Sequence, residues 1–448
     1  MTSVLLVYPY FKPRRDRSVF RFPPLGISYL AASLQAGGHT VSLLDCTFLD
    51  RRTALQKARA ARAEVVGIYC MVTMMEDCAW LAAELRPTAR LLVAGGPLPT
   101  CDPLPFLEHF DVVVRGEGEQ TLLELLAADA AGSGLETVPG LVFNRQAPVF
   151  TPERRFEKDL DRLPFPARDL LPNASYIAYG RKKYGTAVTT VMSTRGCPFR
   201  CEFCSNVVFG GSYREHSPGR VVDEVEQALA LGYERISFAD DVFTMKRERV
   251  VAICREILRR GLHFEWECLG RVDSLDEATA LEMKQAGCSR IYFGIESGDE
   301  AILELMNKKT TVPQARLAVE AAHAAGLQVG AFFILCYPGD TDETVLETLR
   351  FATSLPLDYL GLSMPYPLPG TALYDRVRER VTRAWRPDDS PFGSHVLIVE
   401  AGFSEAKVWF ALAKGRAQFL LKRWLGKRLP FAPALFEKTS DALFRRLP

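Results

Sequence analysis

The most informative part of the sequence is the stretch Arg195-Gly196-Cys197-Pro198-Phe199-Arg200-Cys201-Glu202-Phe203-Cys204, which places three cysteines on one short loop. Three thiolates can hold a [4Fe-4S] cluster and leave one iron without a protein ligand, and an open iron can bind a small molecule directly. Zinc is disfavoured because a tetrahedral site needs a fourth ligand. The downstream candidates for that ligand stand alone in the sequence: Cys254, Cys268, Cys288, Cys336 and His216.

Length, charge and cysteine content limit the classes of protein. A chain of 448 residues exceeds one usual domain, so two or three domains are expected. The formal net charge of +1 argues against a global field for nucleic acid or acidic partners. The strand-length run at 3–8 does not resemble a signal peptide, and no stretch approaches the length of a membrane span. Eleven cysteines without a signal peptide predict a protein of the reducing cytoplasm. The lack of a long apolar run predicts no transmembrane segment.

Residues 1–145 are predicted to form a Rossmann-like α/β domain. Short β-rich runs at 4–8, 40–45, 65–69, 90–95 and 111–115 alternate with amphipathic segments, which is typical of a parallel sheet with crossover helices. Ligands bind beyond the carboxyl ends of such strands. The turns there supply these candidate binding residues: Pro9, Thr73, Gly95, Gly96, Pro97, Gly116 and Glu117. No G-x-G-x-x-G follows the first strand, which disfavours a nicotinamide or flavin cofactor.

A second βα alternation predicts a partial (β/α)6 barrel over residues 187–372. Its strands are expected at 188–193, 236–239, 264–269, 290–294, 328–334 and 359–364. A linker rich in proline, residues 146–186, would precede the barrel, and a mostly helical region, 373–448, would follow it. The cysteine loop follows the first barrel strand, at the end of the barrel where active sites lie.

Polar residues at the other strand ends should converge on the cysteine loop. Asp240 and Asp241 end the second strand, where a carboxylate could accept hydrogen bonds from an ammonium group or cap a helix. Arg271 ends the third strand and could pair with a carboxylate ligand or with Asp273. Glu296 follows the fourth strand.

The C-x3-C-x2-C spacing, with Phe203 before the last cysteine, resembles the signature of the radical S-adenosylmethionine (SAM) enzymes. The resemblance implies that Cys197, Cys201 and Cys204 bind a [4Fe-4S] cluster whose open iron is chelated by the methionine part of SAM. One electron from an external flavodoxin- or ferredoxin-type donor then cleaves SAM to a 5′-deoxyadenosyl radical. The implied SAM contacts are Phe203, Asp240, Asp241, Arg271 and Glu296, and the turns with Tyr337 and Tyr366 would lie near the substrate.

The segments 23–31, 93–97 and 114–119 resemble the cobalamin-binding domain that precedes many radical SAM cores. In that family the corrin lies over the strand ends and its nucleotide tail runs beside the sheet, which implies cobalamin contacts for the turn residues given above. The D-x-H-x-x-G motif is absent. Leu98 stands where relatives often carry histidine, so the lower face of the cobalt is expected to meet water or an apolar contact, unless the domain has lost cobalamin.

The two halves together resemble cobalamin-dependent radical SAM enzymes, many of which transfer methyl groups. This implies methylation of an unactivated carbon in a small-molecule or natural-product substrate. A cyclase or rearrangement enzyme with the same cofactors is the alternative, and a non-catalytic cobalamin or iron–sulfur sensor belongs to a different class. A methylthiotransferase is disfavoured because the cysteines of the first domain do not fall in the motifs of that family.

An amphipathic helix is predicted at 405–425. Its apolar residues are Trp409, Phe410, Leu412, Phe419, Leu420 and Trp424. Its basic neighbours are Lys407, Lys414, Arg416, Lys422, Arg423, Lys427 and Arg428. A helix that closes over the barrel is favoured, and contact with a membrane surface or a lipid-like substrate is the alternative.

Overall fold

The computed structural model of the chain describes residues 1–11, 21–132, 134–381, 402–425 and 431–447. The first sheet has seven strands in the order β2-β1-β3-β4-β5-β6-β7. They are β1 (Ser3–Tyr8), β2 (Thr40–Asp45), β3 (Val65–Tyr69), β4 (Leu91–Gly95), β5 (Val112–Val114), β6 (Leu141–Asn144) and β7 (Pro148–Phe150). The first five are parallel and the last two are antiparallel.

Helices cover both faces of this sheet. They are α1 (Leu25–Ala36), α2 (Arg51–Ala60), α3 (Met75–Leu85), α4 (Pro97–Cys101) and α5 (Glu119–Ala131). Because side chains alternate along a strand, Leu5 and Val7 pack in the core that includes residues of α2 and α3. Val4 and Leu6 pack in the core on the other face, with residues of α1 and α5. The predicted Rossmann-like architecture is confirmed.

The segment predicted to be a linker is more ordered than its prolines suggested. Strand β7 extends the first sheet to residue 150, with Pro148 at the start of an edge strand, where a missing N–H is tolerated. Helix α6 (Asn173–Tyr184) follows Pro172 and ends at Gly185, which has a φ of 75°. The hydroxyl of Tyr176 on this helix is buried and donates to Asp45 at 2.7 Å, which ties the segment to the first domain.

The second sheet is an open barrel of six parallel strands in chain order. The strands of this half are β8 (Val188–Val191), β9 (Thr194–Arg195), β10 (Arg214–Glu215), β11 (Arg235–Phe238), β12 (Glu265–Gly270), β13 (Cys288–Glu296), β14 (Gln328–Ile334) and β15 (Tyr359–Ser363). Strands β9 and β10 form a separate antiparallel pair that brackets the cysteine loop. The six predicted barrel strands are confirmed, each within a few residues of its expected position.

Helices surround the barrel. They are α7 (Pro218–Ala230), α8 (Arg247–Arg259), α9 (Glu277–Gln285), α10 (Glu300–Leu305), α11 (Val312–Ala324), α12 (Asp342–Ser354) and α13 (Ala372–Val377). Trp266 on β12 is fully buried among residues of these helices and of the strands, and its indole N–H donates to Ala286 O at 2.8 Å. The barrel therefore has a continuous apolar core outside its strands, and its polar residues collect at the strand ends.

Two helices close the chain, α14 (Glu405–Leu425) and α15 (Phe431–Arg446). The predicted helix at 405–425 is confirmed, and its Val408, Ala411 and Leu412 are buried in the barrel core. As predicted, this face of α14 packs on the barrel. Lys427 and Arg428 lie outside the described residues. No helix in the described part of the chain is both long and apolar enough to cross a membrane.

Candidate active site

The cysteine loop lies between β9 and β10, at the carboxyl end of β8. Gly196 opens it with a φ of 82°, and a Cβ there would come within 2.3 Å of Ser212 O, so only glycine fits. Burial raises the pKa of Cys204 to about 12, and the neighbouring Cys201, Asp241 and Cys197 add to the rise. Each of these groups lies close enough to Cys204 to disfavour its thiolate, so the cations of a bound cluster would be needed to hold the thiolate form.

The donor chemistry of the three cysteines suits an iron–sulfur cluster. Across the described ranges, no three His, Cys, Asp or Glu side chains are arranged to enclose one metal ion. In a four-iron cluster each cysteine binds a separate iron, so a wider spacing of the sulfurs is required. The donor set of Cys197, Cys201 and Cys204 therefore fits the predicted [4Fe-4S] group.

Glu202 anchors the middle of the cysteine loop to the barrel. Its carboxylate accepts hydrogen bonds from Tyr337 Oη at 2.6 Å and from Arg376 Nε and Nη2 at 2.6 and 2.9 Å. Its backbone N–H donates to Met306 O at 2.9 Å. Tyr337, predicted to face the substrate, is instead fully buried and holds this loop. Tyr366, the other predicted substrate residue, packs partly buried against the barrel core.

The two aspartates after β11 have different surroundings. Asp240 is buried and accepts hydrogen bonds from the backbone N–H groups of Ser193 and Thr194 at 2.6 and 3.0 Å, and from the Ser193 hydroxyl. It therefore braces the turn that leads into the cysteine loop and does not cap a helix. Asp241 is exposed and close to Cys197 and Cys204. Of the two, Asp241 has the carboxylate that remains available to a ligand ammonium.

Arg271 and Glu296 each have a protein partner. Arg271 pairs with Asp273 through Nε and Nη2 at 2.9 and 3.0 Å, and its guanidinium lies 3.5 Å from the centre of the Phe199 ring. Glu296, at a φ of 72°, accepts a hydrogen bond from Lys308 Nζ at 3.1 Å. The same ammonium lies 5.8 Å from the Phe203 ring centre. The predicted SAM residues thus surround the cysteine loop.

Lys308 is a functional candidate that the sequence did not single out. It is a buried lysine that follows a helix end and lies in no strand or motif. Its neighbours Asn307 and Lys309 have left-handed backbone, with φ values of 52° and 56°. Such conformations are not visible in a pattern of apolar and polar residues, so only the structure shows that its ammonium meets Glu296.

A cavity of about 480 Å³ lies between the first domain and the barrel. Of the predicted cobalamin residues, Gly95, Gly96, Pro97, Gly116 and Glu117 line it, whereas Pro9 and Thr73 do not. Its floor extends along the sheet under α1 and α5, where the lining residues are Leu6, Gly67, Ile68, Val93, Leu30 and Leu122. The barrel contributes Thr190, Met192, Arg195, Val208 and Phe209.

The walls of this cavity suit a large, flat and partly apolar cofactor. Gly96 has a φ of 113°, and a Cβ there would lie 2.7 Å from Cys70 O, so this wall must stay bare backbone. Gly67 in the middle of β3 also lines the cavity, and a Cβ there would lie 2.9 Å from the Leu6 side chain. A cavity that runs from the strand ends down one face of the sheet fits a corrin with its nucleotide tail. The residues present therefore fit cobalamin.

A buried ion cluster joins the cavity to the cysteine loop. Arg195, the residue two places before Cys197, donates to Glu117 at 2.9 Å and to Glu119 at 2.7 Å. Arg214 on β10 donates to both oxygens of Glu117 at 3.0 and 2.9 Å. Glu117 was predicted to bind cobalamin, but the two arginines occupy its carboxylate. Sequence reasoning missed both arginines, because the pairing joins residues about 80 and 100 positions apart in different domains.

Comparisons with known proteins agree with this geometry. Residues 191–352 match the model of the radical SAM superfamily, and residues 12–126 match that of the B12 binding domain. The site and fold thus define a radical SAM enzyme with a cobalamin-binding domain. The chain belongs to the family of cobalamin-dependent radical SAM enzymes, and its cofactors are a [4Fe-4S] cluster, SAM and cobalamin.

Individual relatives cover most of the chain. An uncharacterised methyltransferase of Pyrococcus horikoshii is 35% identical over 83% of this chain and 82% of its own length. An anaerobic magnesium-protoporphyrin IX monomethyl ester cyclase of Cereibacter sphaeroides is 30% identical over 84% of this chain and 64% of its own length. The radical SAM methyltransferase TsrM of Kitasatospora setae, solved with cobalamin and a [4Fe-4S] cluster, shares the fold. Its TM-score is 0.72 at 22% identity, over 86% of this chain and 79% of that one.

Proposed function

We propose that the protein is a methyltransferase that methylates an unactivated carbon of a small-molecule substrate. The observation that carries the proposal is the cavity shared by both domains, which is lined by strand-end glycines of the first sheet and by Arg195 and Met192 next to the cysteine loop. When bound, the cluster with SAM supplies a hydrogen-abstracting radical and cobalamin supplies a methyl group. Because both domains line this cavity, the radical and the methyl group could reach the same substrate carbon.

The residues of the chain hold and orient these groups. Cys197, Cys201 and Cys204 would ligate the irons, and Asp241 has an exposed carboxylate for the methionine ammonium of SAM. Glu296 and Lys308 form a buried pair beside Phe203, which would offer both a hydrogen-bond acceptor and a donor to the ribose or the methionine. SAM cleavage consumes one electron, which an external donor of the flavodoxin or ferredoxin type would supply.

The apolar wall of the cavity would limit the access of water to a cofactor bound there. Val208 and Phe209 contribute from the barrel side, and Leu25 and Ile27 from the start of α1. Water exclusion matters because a substrate radical must meet its methyl donor before it meets solvent. The arrangement therefore supports chemistry at a carbon that offers no acidic proton.

A second candidate function is cyclisation with the same cofactors. The 30% identity to the Cereibacter sphaeroides protein favours cyclisation, since that relative is named a cyclase. The geometry of the cysteine loop and the cavity serves either reaction. The two differ in whether a methyl group leaves the cofactor.

The test is anaerobic reconstitution with iron, sulfide and hydroxocobalamin, followed by reduction in the presence of SAM. Methyl transfer predicts 5′-deoxyadenosine, S-adenosylhomocysteine and bound methylcobalamin together. Deoxyadenosine with bound but unmethylated cobalamin would support the cyclase. If neither 5′-deoxyadenosine nor S-adenosylhomocysteine is formed, both proposals are overturned. A Cys201→Ser variant carried through the same steps is the control for chemistry that does not depend on the cluster.

A further inference from the structure

The lumen of the barrel, the space enclosed by its six strands, is open at the level of Leu269. Side chains alternate between the two faces of a strand. Since Cys268 is buried in the core outside the strands, Leu269 faces inward. It is 38% exposed, although β12 has a neighbouring strand on each side. In a barrel filled by its own side chains this leucine would be covered, so the lumen has room for a ligand.

Three aromatic side chains form one side of the lumen. Tyr292, Phe332 and Tyr359 lie on the consecutive strands β13, β14 and β15, on the face opposite the core outside the strands. The Tyr292 and Phe332 rings are stacked with their centres 5.6 Å apart and an angle of 19° between their planes. Tyr359 meets both rings edge-on at 6.0 and 6.1 Å. We call these three rings the aromatic wall.

Two glycines keep the aromatic wall against the sheet. Gly330 pairs with Tyr292 on the adjacent strand, and Gly361 pairs with Phe332. A Cβ at either glycine would collide with the ring beside it. The two rings therefore occupy the space that the missing side chains leave, and they do not have to cross the lumen. The sequence thus provides an apolar surface and, at the same time, open space in front of it.

The floor of the lumen is polar. Glu267 is buried one inward-facing position before Leu269 on β12, about 7 Å deeper in the barrel. Its ion-pair partner Arg290 is 3.7 Å away, which is too far for a hydrogen bond, and Arg290 donates instead to Gln328 at 3.0 and 2.6 Å. A carboxylate has about four acceptor positions, and the Ser237 hydroxyl fills one of those on Glu267. Glu267 therefore retains the capacity to accept from a ligand.

The lumen adjoins both cofactor sites. Thr190 and Met192, on the edge strand β8, line the cavity between the first domain and the barrel. Glu296 and Lys308 lie over Gly294, the next inward-facing position after Tyr292 on β13. A molecule in the lumen would have the cobalamin cavity at the β8 edge and the predicted SAM residues above it.

We propose that the lumen binds the substrate, and that the substrate is a planar, largely apolar molecule with a hydroxyl or amine N–H at the end that reaches Glu267. Its ring system packs on the aromatic wall. Glu267 accepts the hydrogen bond, and it repels a carboxylate or phosphate at the same end. The inference rests on the proposed function, because it takes the molecule in the lumen to be the one that reacts.

Three naphthalene probes test this specificity. 2-Naphthol and 2-methoxynaphthalene share a planar apolar body and differ in the hydrogen-bond donor, whereas 2-naphthoate carries an anion. Binding is measured by anaerobic titration calorimetry on the reconstituted enzyme with SAM and cobalamin bound. We expect 2-naphthol to bind at least about tenfold more tightly than 2-methoxynaphthalene, because it alone donates to a charged acceptor. We expect no measurable binding of 2-naphthoate.

Variants assign the binding to named residues. Glu267→Gln should weaken 2-naphthol binding about fivefold to tenfold, because an amide oxygen is a weaker acceptor than a carboxylate, and should leave 2-methoxynaphthalene unaffected. The matched control is Glu265→Gln on the same strand, where the side chain is exposed and paired with Arg235, and it should bind all three probes as the wild type does. Gly361→Val should push the Phe332 ring into the lumen and weaken both neutral probes at least about tenfold. Cluster absorbance checks that each variant is folded.

Four results would overturn the proposal. They are equal affinity for 2-naphthol and 2-methoxynaphthalene, tighter binding of 2-naphthoate, a Glu267→Gln enzyme that binds as Glu265→Gln does, and displacement of 2-naphthol by SAM. The last result would assign the aromatic wall to the adenine of SAM. All four are binding measurements, so they are independent of 5′-deoxyadenosine and S-adenosylhomocysteine formation, which test the proposed function.

Discussion

Glu117→Gln is the substitution that most directly tests how the two domains are held together. The carboxylate of Glu117 is buried and accepts hydrogen bonds from Arg195 and Arg214. The substitution keeps the size and one acceptor oxygen but removes the charge. Both guanidinium groups then remain buried beside an amide, whose NH2 group repels them.

The magnitude follows from what each arginine retains. Loss of one partner from a buried ion pair typically costs about 3–5 kcal/mol. Here Arg195 keeps Glu119 at 2.7 Å, and Arg214 keeps the carbonyl of Glu157 at 2.9 Å. We therefore expect the lower end of that range, a loss of about 3 kcal/mol in the free energy of unfolding. The loss should fall at the contact between the domains, since Glu117 belongs to the first and both arginines to the second.

Urea unfolding and cobalamin retention measure the effect. Glu84→Gln is the matched control, because Glu84 pairs with Arg59 on the surface and exposed pairs contribute about 0–1 kcal/mol. We expect Glu117→Gln also to release cobalamin during gel filtration, because Glu117 lines the cavity. A Glu117→Gln protein as stable as the Glu84→Gln protein, with full cobalamin content, would refute the reasoning that this cluster fixes the interface.

Three other substitutions test separate parts of the site. Cys201→Ser should abolish cluster iron and deoxyadenosine formation, whereas Cys101→Ser should leave both unchanged; iron retained in the first variant would contradict the ligand assignment. Gly67→Leu should weaken cobalamin binding at least about tenfold by filling the cavity, with iron content unchanged as the internal control. Burial raises the pKa of Asp340 from 3.8 to about 6. As pH rises, this carboxyl therefore ionises at a lower pH in the unfolded chain than in the folded protein, and its contribution to the free energy of unfolding falls by about 2 kcal/mol between pH 4 and 6. Asp340→Asn should remove that portion of the fall, and an unchanged pH profile would contradict it.

Much of the fold was predictable because parallel strands leave a strong pattern. Strands buried on both faces, such as β3, appear as short apolar runs. Strands β2, β3 and β14 begin and end where the sequence predicted. The order of the barrel strands follows from short right-handed connections between consecutive strands. The site was predictable to the extent that it lies on the turns after those strands.

Other elements carried weaker signals. Strand β7 is three residues long and begins with proline, and α6 lies in a segment that prolines and charged residues interrupt. Neither shows the periodicity that identifies a strand or helix. Strand β7 forms by pairing with β6 at the edge of the sheet, and α6 is held by tertiary contacts such as that of Tyr176 with Asp45. Helix α15 was predicted only as part of the mostly helical region 373–448 and without bounds of its own, since its buried side chains depend on contact with α14 and α12.

Side-chain partners were the least predictable feature of the site. Asp240 and Tyr337 occupy the predicted turns, yet one binds backbone amides before the cysteine loop and the other binds Glu202 within it. A sequence identifies which residues reach the carboxyl edge of a sheet but not which of them turn toward each other. For these two residues, the consequence is a structural role in place of the ligand contact that was expected.

The positions of these braces explain how one short loop can serve two cofactors. Asp240 fixes the backbone just before the loop, Arg195 ties its first residue to the cobalamin-binding domain, and Glu202 ties its middle to the barrel. A displacement of the first domain would therefore pull on the segment that holds Cys197, two residues away. Because the same arginine lines the cavity and begins the loop, the distance between the cobalamin and cluster sites is set within one segment of the chain, and domain packing is part of the active-site geometry.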